Sequence, residues 1–335
     1  MPGLKVLLVI PDGLGDRPAD ALDGRTPLEA AHTPNLDALA SAGINGLLSA
    51  KAPGIALGSP LAIHLMLGYP EELFPDRAVL LTVGRGLPLG YDDVVLAARF
   101  ARVVPEDGRL RLVQRFVRGE EETCAALAQL IQEYQVDGLR FRYRYCGSGD
   151  GILYISGGAS PDVTDSDPLG LDLPVIKVQP LAQAREPEAA RRTADALNRY
   201  LAWAHQRMSE HEAGTEGVPI NFLITKWAGK RIPLEPFARR YGMRAASMSA
   251  EEVVTGAVME MGLDVIHPPE EDDAERDLCQ RLALAEELFA QGYDFVHLHT
   301  LPPTTATRPA SGTLSRPWTG ASPPTGSGWP TTQTC

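Results

Sequence analysis

The chain has 335 residues and 44% hydrophobic side chains, enough for a real core in one large domain or in a domain carrying an insertion. Its 43 acidic and 31 basic residues give a net charge of −12, which argues against nucleic acid and anionic membrane as principal partners; a small anionic substrate needs only a local Arg or Lys cluster. No run of about 20 apolar residues offers a membrane span, and Cys124, Cys146, Cys279 and Cys335 lack CxxC spacing, so they read as free thiols of a cytoplasmic protein.

Val6–Ile10 is a continuous apolar run followed at once by Pro11-Asp12-Gly13, the pattern of a buried parallel strand meeting the functional edge of its sheet. Thr33-Pro34 opens a helix that Gly43 stops, and Gly46–Ser49 reads as a short strand. Gly58-Ser59-Pro60 starts a second apolar helix, Leu61 to Leu67. Between 98 and 182 the rhythm changes. Val94–Val104, Arg109–Arg118, Arg140–Tyr145 and Gly151–Ile155 alternate as strands around a helical stretch, Glu120–Tyr134, so an α+β insertion is expected there.

A long amphipathic helix, Glu186–Ser209, comes next. Strands at Asn221–Thr225, Arg244–Met248, Leu263–Ile266 and Tyr293–His299 then alternate with helices at Leu234–Tyr241, Ser249–Met261 and Asp273–Gln291. The expected fold is therefore α/β: a doubly wound, mostly parallel sheet, built from residues 1–97 and 183–300, with an inserted α+β substrate domain at 98–182. In 301–335, 24 of 35 residues are Thr, Pro, Ser or Gly, a composition expected to be disordered.

Three positions attract chemistry. Asp12, at a strand's carboxyl end, is a candidate metal ligand, the alternative being a turn-capping Asp. Ser59, at a helix start, is a candidate nucleophile where the helix dipole favours phosphate, the alternative being an N-cap serine. Arg85, in Gly84-Arg85-Gly86, is a candidate phosphate clamp or part of a turn.

The segments Asp12-Gly13-Leu14-Gly15-Asp16-Arg17-Pro18, Arg25-Thr26-Pro27-Leu28-Glu29-Ala30-Ala31 and His32-Thr33-Pro34-Asn35-Leu36-Asp37 resemble the opening of the archaeal-type cofactor-independent phosphoglycerate mutases. That family lies in the alkaline phosphatase superfamily. The likeness continues through Gly58-Ser59, Leu67-Gly68-Tyr69, Gly84-Arg85-Gly86, Asp165-Ser166-Asp167-Pro168, Ala228-Gly229-Lys230 and Tyr293-Asp294-Phe295-Val296, covering about residues 5–299. The resemblance implies a glycolytic isomerase that interconverts 3- and 2-phosphoglycerate through a phosphoserine at Ser59. It implies two divalent ions (manganese, zinc or cobalt), with Asp12 and Ser59 among their ligands. A small phosphorylated carboxylate would be held by Arg85, Arg140, Arg142 and Lys230; the alternative for the two insertion arginines is a solvated edge strand. Homo-oligomerisation is left open.

Departures from the family pattern accompany the likeness. Pro60 and Leu61 follow the nucleophile where the family has Asp and Thr, and Gly147-Ser148-Gly149-Asp150 stands where the family often has Gly-His-Arg. Beyond residue 300 the chain contains no Asp, Glu or His, whereas the family places an Asp-x-x-x-His pair and a later Asp-His there. His297 and His299 read as structural. A truncation or shifted reading frame is one explanation: codons for Thr304-Thr305-Ala306-Thr307, read one frame over, permit Asp-Asp-Gly-His. On this reading mutase turnover would be weak or lost, with a metal-dependent phosphatase or phosphonate hydrolase and a non-catalytic phosphometabolite-binding relative as the alternatives.

Overall fold

The computed structural model describes residues 3–212, 217–269, 271 and 273–300. Its first elements are β1 (Val6–Pro11), α1 (Pro27–Ala30), α2 (Pro34–Ala42), α3 (Ser59–Met66) and α4 (Arg77–Gly84). There follow β2 (Val94–Glu106), β3 (Arg109–Gln114), α5 (Glu121–Leu130), β4 (Glu133–Val136), β5 (Leu139–Gly147) and β6 (Asp150–Ser156). The chain continues through α6 (Pro187–His211), β7 (Phe222–Lys230), α7 (Phe237–Tyr241) and β8 (Ala245–Ser249). Last come α8 (Glu252–Glu260), β9 (Asp264–Val265), α9 (Ala274–Ala290) and β10 (Phe295–Thr300). The chain divides into two compact units, Met1–Glu71 with Leu234–Cys335, and Glu72–Pro233.

In the first unit, β1, β10, β8 and β9 form a parallel sheet in that order. Met248, Val296 and Leu298 of the sheet pack with Leu278, Ala285 and Leu288 of α9, while α8 lies against α3. Each large apolar side chain buried in this way contributes roughly 1.5–3 kcal/mol. The expectation of a wholly buried first strand is corrected: β1 is an edge strand of the described sheet, with Leu7 and Val9 39% and 37% exposed. Gly46–Ser49 forms no strand, and its Leu47 and Leu48 are exposed because no neighbouring strand pairs with them. At the start of α1, Thr26 and Glu29 close a capping box, the Thr26 hydroxyl accepting from Glu29 N and the Glu29 carboxylate accepting from Thr26 N.

The second unit is built on an antiparallel sheet of order β3-β2-β6-β5-β4, with β7 also pairing β2. One face of this sheet packs under α5 and α6, where Phe100, Leu127, Phe141, Leu197 and Tyr200 form the core. Phe141 and Tyr200 stack at 5.1 Å, and the buried Tyr200 hydroxyl donates to Ile131 O at 3.0 Å.

This unit is larger than the expected insertion of 98–182. Asn221–Thr225 reads in sequence as a strand of the mostly parallel core, yet β7 runs antiparallel to β2 from Phe222–Ala101 to Lys230–Val94. A continuous apolar run such as Phe222-Leu223-Ile224 reads the same in either kind of inner strand, so periodicity cannot assign its sheet. Because α4 packs on β2 and β7, and α6 on β7 and β5, the segments flanking 98–182 join the antiparallel unit.

No helix among the described residues is long and apolar enough to cross a membrane. Cys124 and Cys146 carry free thiols as expected, whereas Cys279 is disulfide-bonded. The tail expected at 301–335 lies outside the described residues.

Candidate functional site

Asp12 sits where β1 ends. Its amide donates to Thr300 O at 3.1 Å, while the parallel register pairs Ile10 with His299. Strand pairing thereby brings His299 Nε2 to 3.6 Å from Asp12 Oδ2. Ser59 reaches the same carboxylate from α3. Gly58 is the N-cap of α3 and makes no side-chain cap, so Ser59 is the first helical residue, and its hydroxyl is one of the groups that lower the Asp12 pKa. The N-cap reading of Ser59 is thus corrected.

The Asp12 carboxyl is held below its ordinary pKa. The hydrogen bond from His299 is the main cause, burial opposes it, and the His299 charge, the Gly13 amide and the Ser59 hydroxyl add to the lowering.

His299 was missed as a site residue. Ser249 Oγ lies 3.4 Å from its Nδ1, and one step down the strand Ser247 Oγ lies 2.8 Å from His297 Nδ1. Burial, followed by the neighbouring His299, pushes His297 down to about 4. The available signal was the alternate spacing of two His on a strand next to β1, but only the parallel pairing distinguishes which of them faces Asp12.

The other candidates lie on the second unit. Arg85 is the half-buried C-cap of α4. Arg140 and Arg142 project from the exposed face of β5, an inner strand between β6 and β4, which corrects the edge-strand alternative. Arg142 lies over the Tyr154 ring at 5.5 Å. Lys230 is half-exposed at the end of β7, 3.8 Å from Asp92.

A buried polar cluster in this unit was also missed. Asp167 takes Arg115 in a bidentate pair, with contacts of 2.5, 2.9 and 3.0 Å, and accepts from Leu169 N at 2.8 Å. Arg99 pairs with Asp150 at 2.5 and 2.9 Å and covers Phe116. Lys226 Nζ is 3.9 Å from the same Asp167 oxygen and 3.9 Å above the Trp227 ring. Burial, then the Arg99 and Arg115 charges, push Lys226 down to about 8.

The Asp165-Ser166-Asp167 run is spent on this framework. Asp165 accepts from Trp227 N at 2.8 Å, and Ser166 Oγ accepts from Thr225 N at 2.8 Å.

The sequence profile of the 2,3-bisphosphoglycerate-independent phosphoglycerate mutases matches residues 40–213. The mutase of that name from Methanopyrus kandleri is 34% identical over 297 residues, 84% of this chain and 69% of the relative. The chain belongs to this family. A mutase of the same name from Ignicoccus hospitalis is 33% identical, over 89% of this chain and 74% of its own. Among solved structures, the cofactor-independent phosphoglycerate mutase of Thermoplasma acidophilum aligns with a TM-score of 0.59 and 29% identity, covering 89% of this chain and 78% of its own. The PH0037 protein of Pyrococcus horikoshii aligns with a TM-score of 0.67 and 26% identity, covering 89% and 71%.

The two divalent ions implied by the mutase resemblance can be tested against these donors. Among the described residues, no three His, Cys, Asp or Glu side chains converge on a position for an ion. Asp12 and Ser59 supply one carboxylate and one hydroxyl, hard oxygen donors for part of one coordination sphere. The described residues do not fit a complete two-ion centre.

Proposed function

We propose that this chain is a phosphoglycerate mutase in which Ser59 relays the phosphoryl group between the 3- and 2-hydroxyls of a small phosphorylated carboxylate. The observation that carries the reading is that Asp12, at the end of β1, has His299 Nε2 at 3.6 Å and Ser59, the first residue of α3, among the groups that lower its carboxyl pKa, in a member of the mutase family. Ser59 Oγ attacks phosphorus, the Ser–O–P bond forms, and the ester bond to the substrate oxygen breaks as the proton lost from Ser59 Oγ passes to that oxygen. Attack by the neighbouring substrate hydroxyl reverses the sequence and frees Ser59. Asp12 faces the Ser59 hydroxyl, His299 backs Asp12 at 3.6 Å, and the start of α3 favours the negative charge on the phosphoserine.

In this reading the first unit is the phosphotransfer core and the second the substrate-binding unit. Arg85, Arg140 and Arg142 are the partners for phosphate and carboxylate. Lys230 contributes less, since register turns it to the sheet face opposite Arg140 and Arg142. Divalent ions such as manganese, zinc or cobalt belong to the reading, with Asp12 and Ser59 as the described residues that would meet one.

The test is incubation with 3-phosphoglycerate, with intact-mass detection of a phosphorylated protein and an enolase-coupled assay of 2-phosphoglycerate. Phosphate mapped to Ser59, and its loss together with turnover in Ser59→Ala, is the expected result. Equal turnover in the wild type and Ser59→Ala would remove the nucleophile assignment.

A further inference from the structure

The register of the second sheet gathers positive charge on one face. Arg99, paired in register with Asp150 on β6, shares the face of Ala97 on β2. Lys226 of β7 stands opposite Ala97, and Arg142 of β5 stands opposite Tyr154, itself paired with Val95 of the same face. Arg140 and Arg144 flank Arg142 at alternate positions of β5. Five cationic residues thus share one face in a chain whose net charge is −12.

A bulge creates this arrangement. The pairing of β7 with β2 slips between Val95 and Ala97, Trp227 adopts a left-handed φ of 60°, and Lys226 and Lys230 fall opposite Ala97 and Val94, on different faces.

Within that face the charges do not balance in the same way. Arg99 has Asp150, and Arg115, joined to the group by Asp167, has a bidentate partner. Lys226 is only 7% exposed, yet its nearest carboxylate oxygen, 3.9 Å away, is already committed to Arg115. Asp165 spends one oxygen on the Trp227 amide. Among the described residues Nζ has no hydrogen-bond acceptor, and the Trp227 ring under it supplies only a weak cation–π partner. The stem of Lys226 is covered while its Nζ keeps contact with solvent, so an ammonium with two guanidinium neighbours and no protein acceptor of its own stands open to an incoming anion. It is matched by a ligand that brings an oxyanion.

We propose that Lys226, flanked by Arg99 and Arg115, is an oxyanion-binding residue of this chain that accepts a phosphate or carboxylate group of a small metabolite. That the metabolite is a phosphoglycerate rests on the mutase reading; the anion site itself does not. The bound anion supplies the acceptor that Nζ lacks, while Asp167 stays with Arg115. Arg142 and Arg140 extend the same positive face for a second charged group.

The experiment is calorimetric titration of the full chain with inorganic phosphate and, separately, with 3-phosphoglycerate, comparing wild type, Lys226→Met and Lys226→Arg. Lysine labelled with ¹³C at Cε gives a second readout, a shift of the Lys226 signal on anion binding in the wild type, which needs no variant to fold. The proposal expects Lys226→Met to weaken binding at least about tenfold, a loss of about 1.4 kcal/mol, with Lys226→Arg recovering most of it.

An unmoved Lys226 signal at saturating anion, or a folded Lys226→Met that binds within twofold of wild type, overturns the proposal. If phosphate binds through Lys226 but Ser59 is never phosphorylated, the mutase reading fails and the anion site stands. If Ser59 turns over with KM unchanged in Lys226→Met, the mutase reading stands and the anion site fails.

Discussion

Removing Asp167 isolates the electrostatic logic of the second unit. The carboxylate is 2% exposed and serves as counter-ion to Arg115, itself 6% exposed, through two guanidinium nitrogens, with Lys226 also within 4 Å. Asp167→Ala leaves two buried cations without a partner and the Leu169 amide without its acceptor. Breaking one member of a buried pair costs about 3–5 kcal/mol, and an abandoned buried amide adds about 1–3 kcal/mol where water cannot replace the acceptor. Urea unfolding of Asp167→Ala at neutral pH should therefore show a loss of at least about 3 kcal/mol, at an unchanged m-value.

The double variant Arg115→Met/Asp167→Leu removes both charges together. It should recover much of that loss, since an apolar pair of similar volume avoids the desolvation of either charge. A loss below about 1 kcal/mol in Asp167→Ala would show the pair behaving like a solvated surface bridge and refute the burial argument.

Three further outcomes follow from other contacts. Trp227 occupies a left-handed backbone position, so Trp227→Gly should unfold at higher urea than Trp227→Ala, by about 1 kcal/mol: both lose the ring, but only alanine keeps the backbone penalty. Equal stabilities would deny that strain. Tyr200→Phe should lose about 1 kcal/mol, the buried hydrogen bond to Ile131 O being removed while the stack on Phe141 is kept; thermal unfolding checks it, and a neutral result would mean that water replaces the hydroxyl.

Lys226 carries the pH prediction. Its folded pKa of about 8 lies below the ordinary 10.5, so the unfolded chain binds more protons between those values and this residue's contribution to stability rises with pH across that window. Urea midpoints between pH 7.5 and 9.5 should rise more in wild type than in Lys226→Met; parallel curves would contradict the assignment.

The amino-acid sequence alone determined much of this protein. Apolar runs and helical periods marked most strands and helices, because each element must bury one face and its side chains repeat with the backbone. However, α1 and α4 went unmarked, and the start of β4 reads as the end of a helix over Glu120–Tyr134. The resemblance in ordered motifs pointed to the family, and the Pro-Asp-Gly and Gly-Ser-Pro punctuation marked Asp12 and Ser59, two residues 47 positions apart that meet in the fold.

Pairing was decided only in three dimensions. Phe222-Leu223-Ile224 is as apolar as a parallel core strand and lies in the antiparallel sheet, since hydrophobicity specifies burial and not the neighbour. His299 gained its place from the parallel register of β10 with β1, and Lys226 took the cationic face from Lys230 through one bulge, because a single extra residue in a strand reverses the face of everything beyond it.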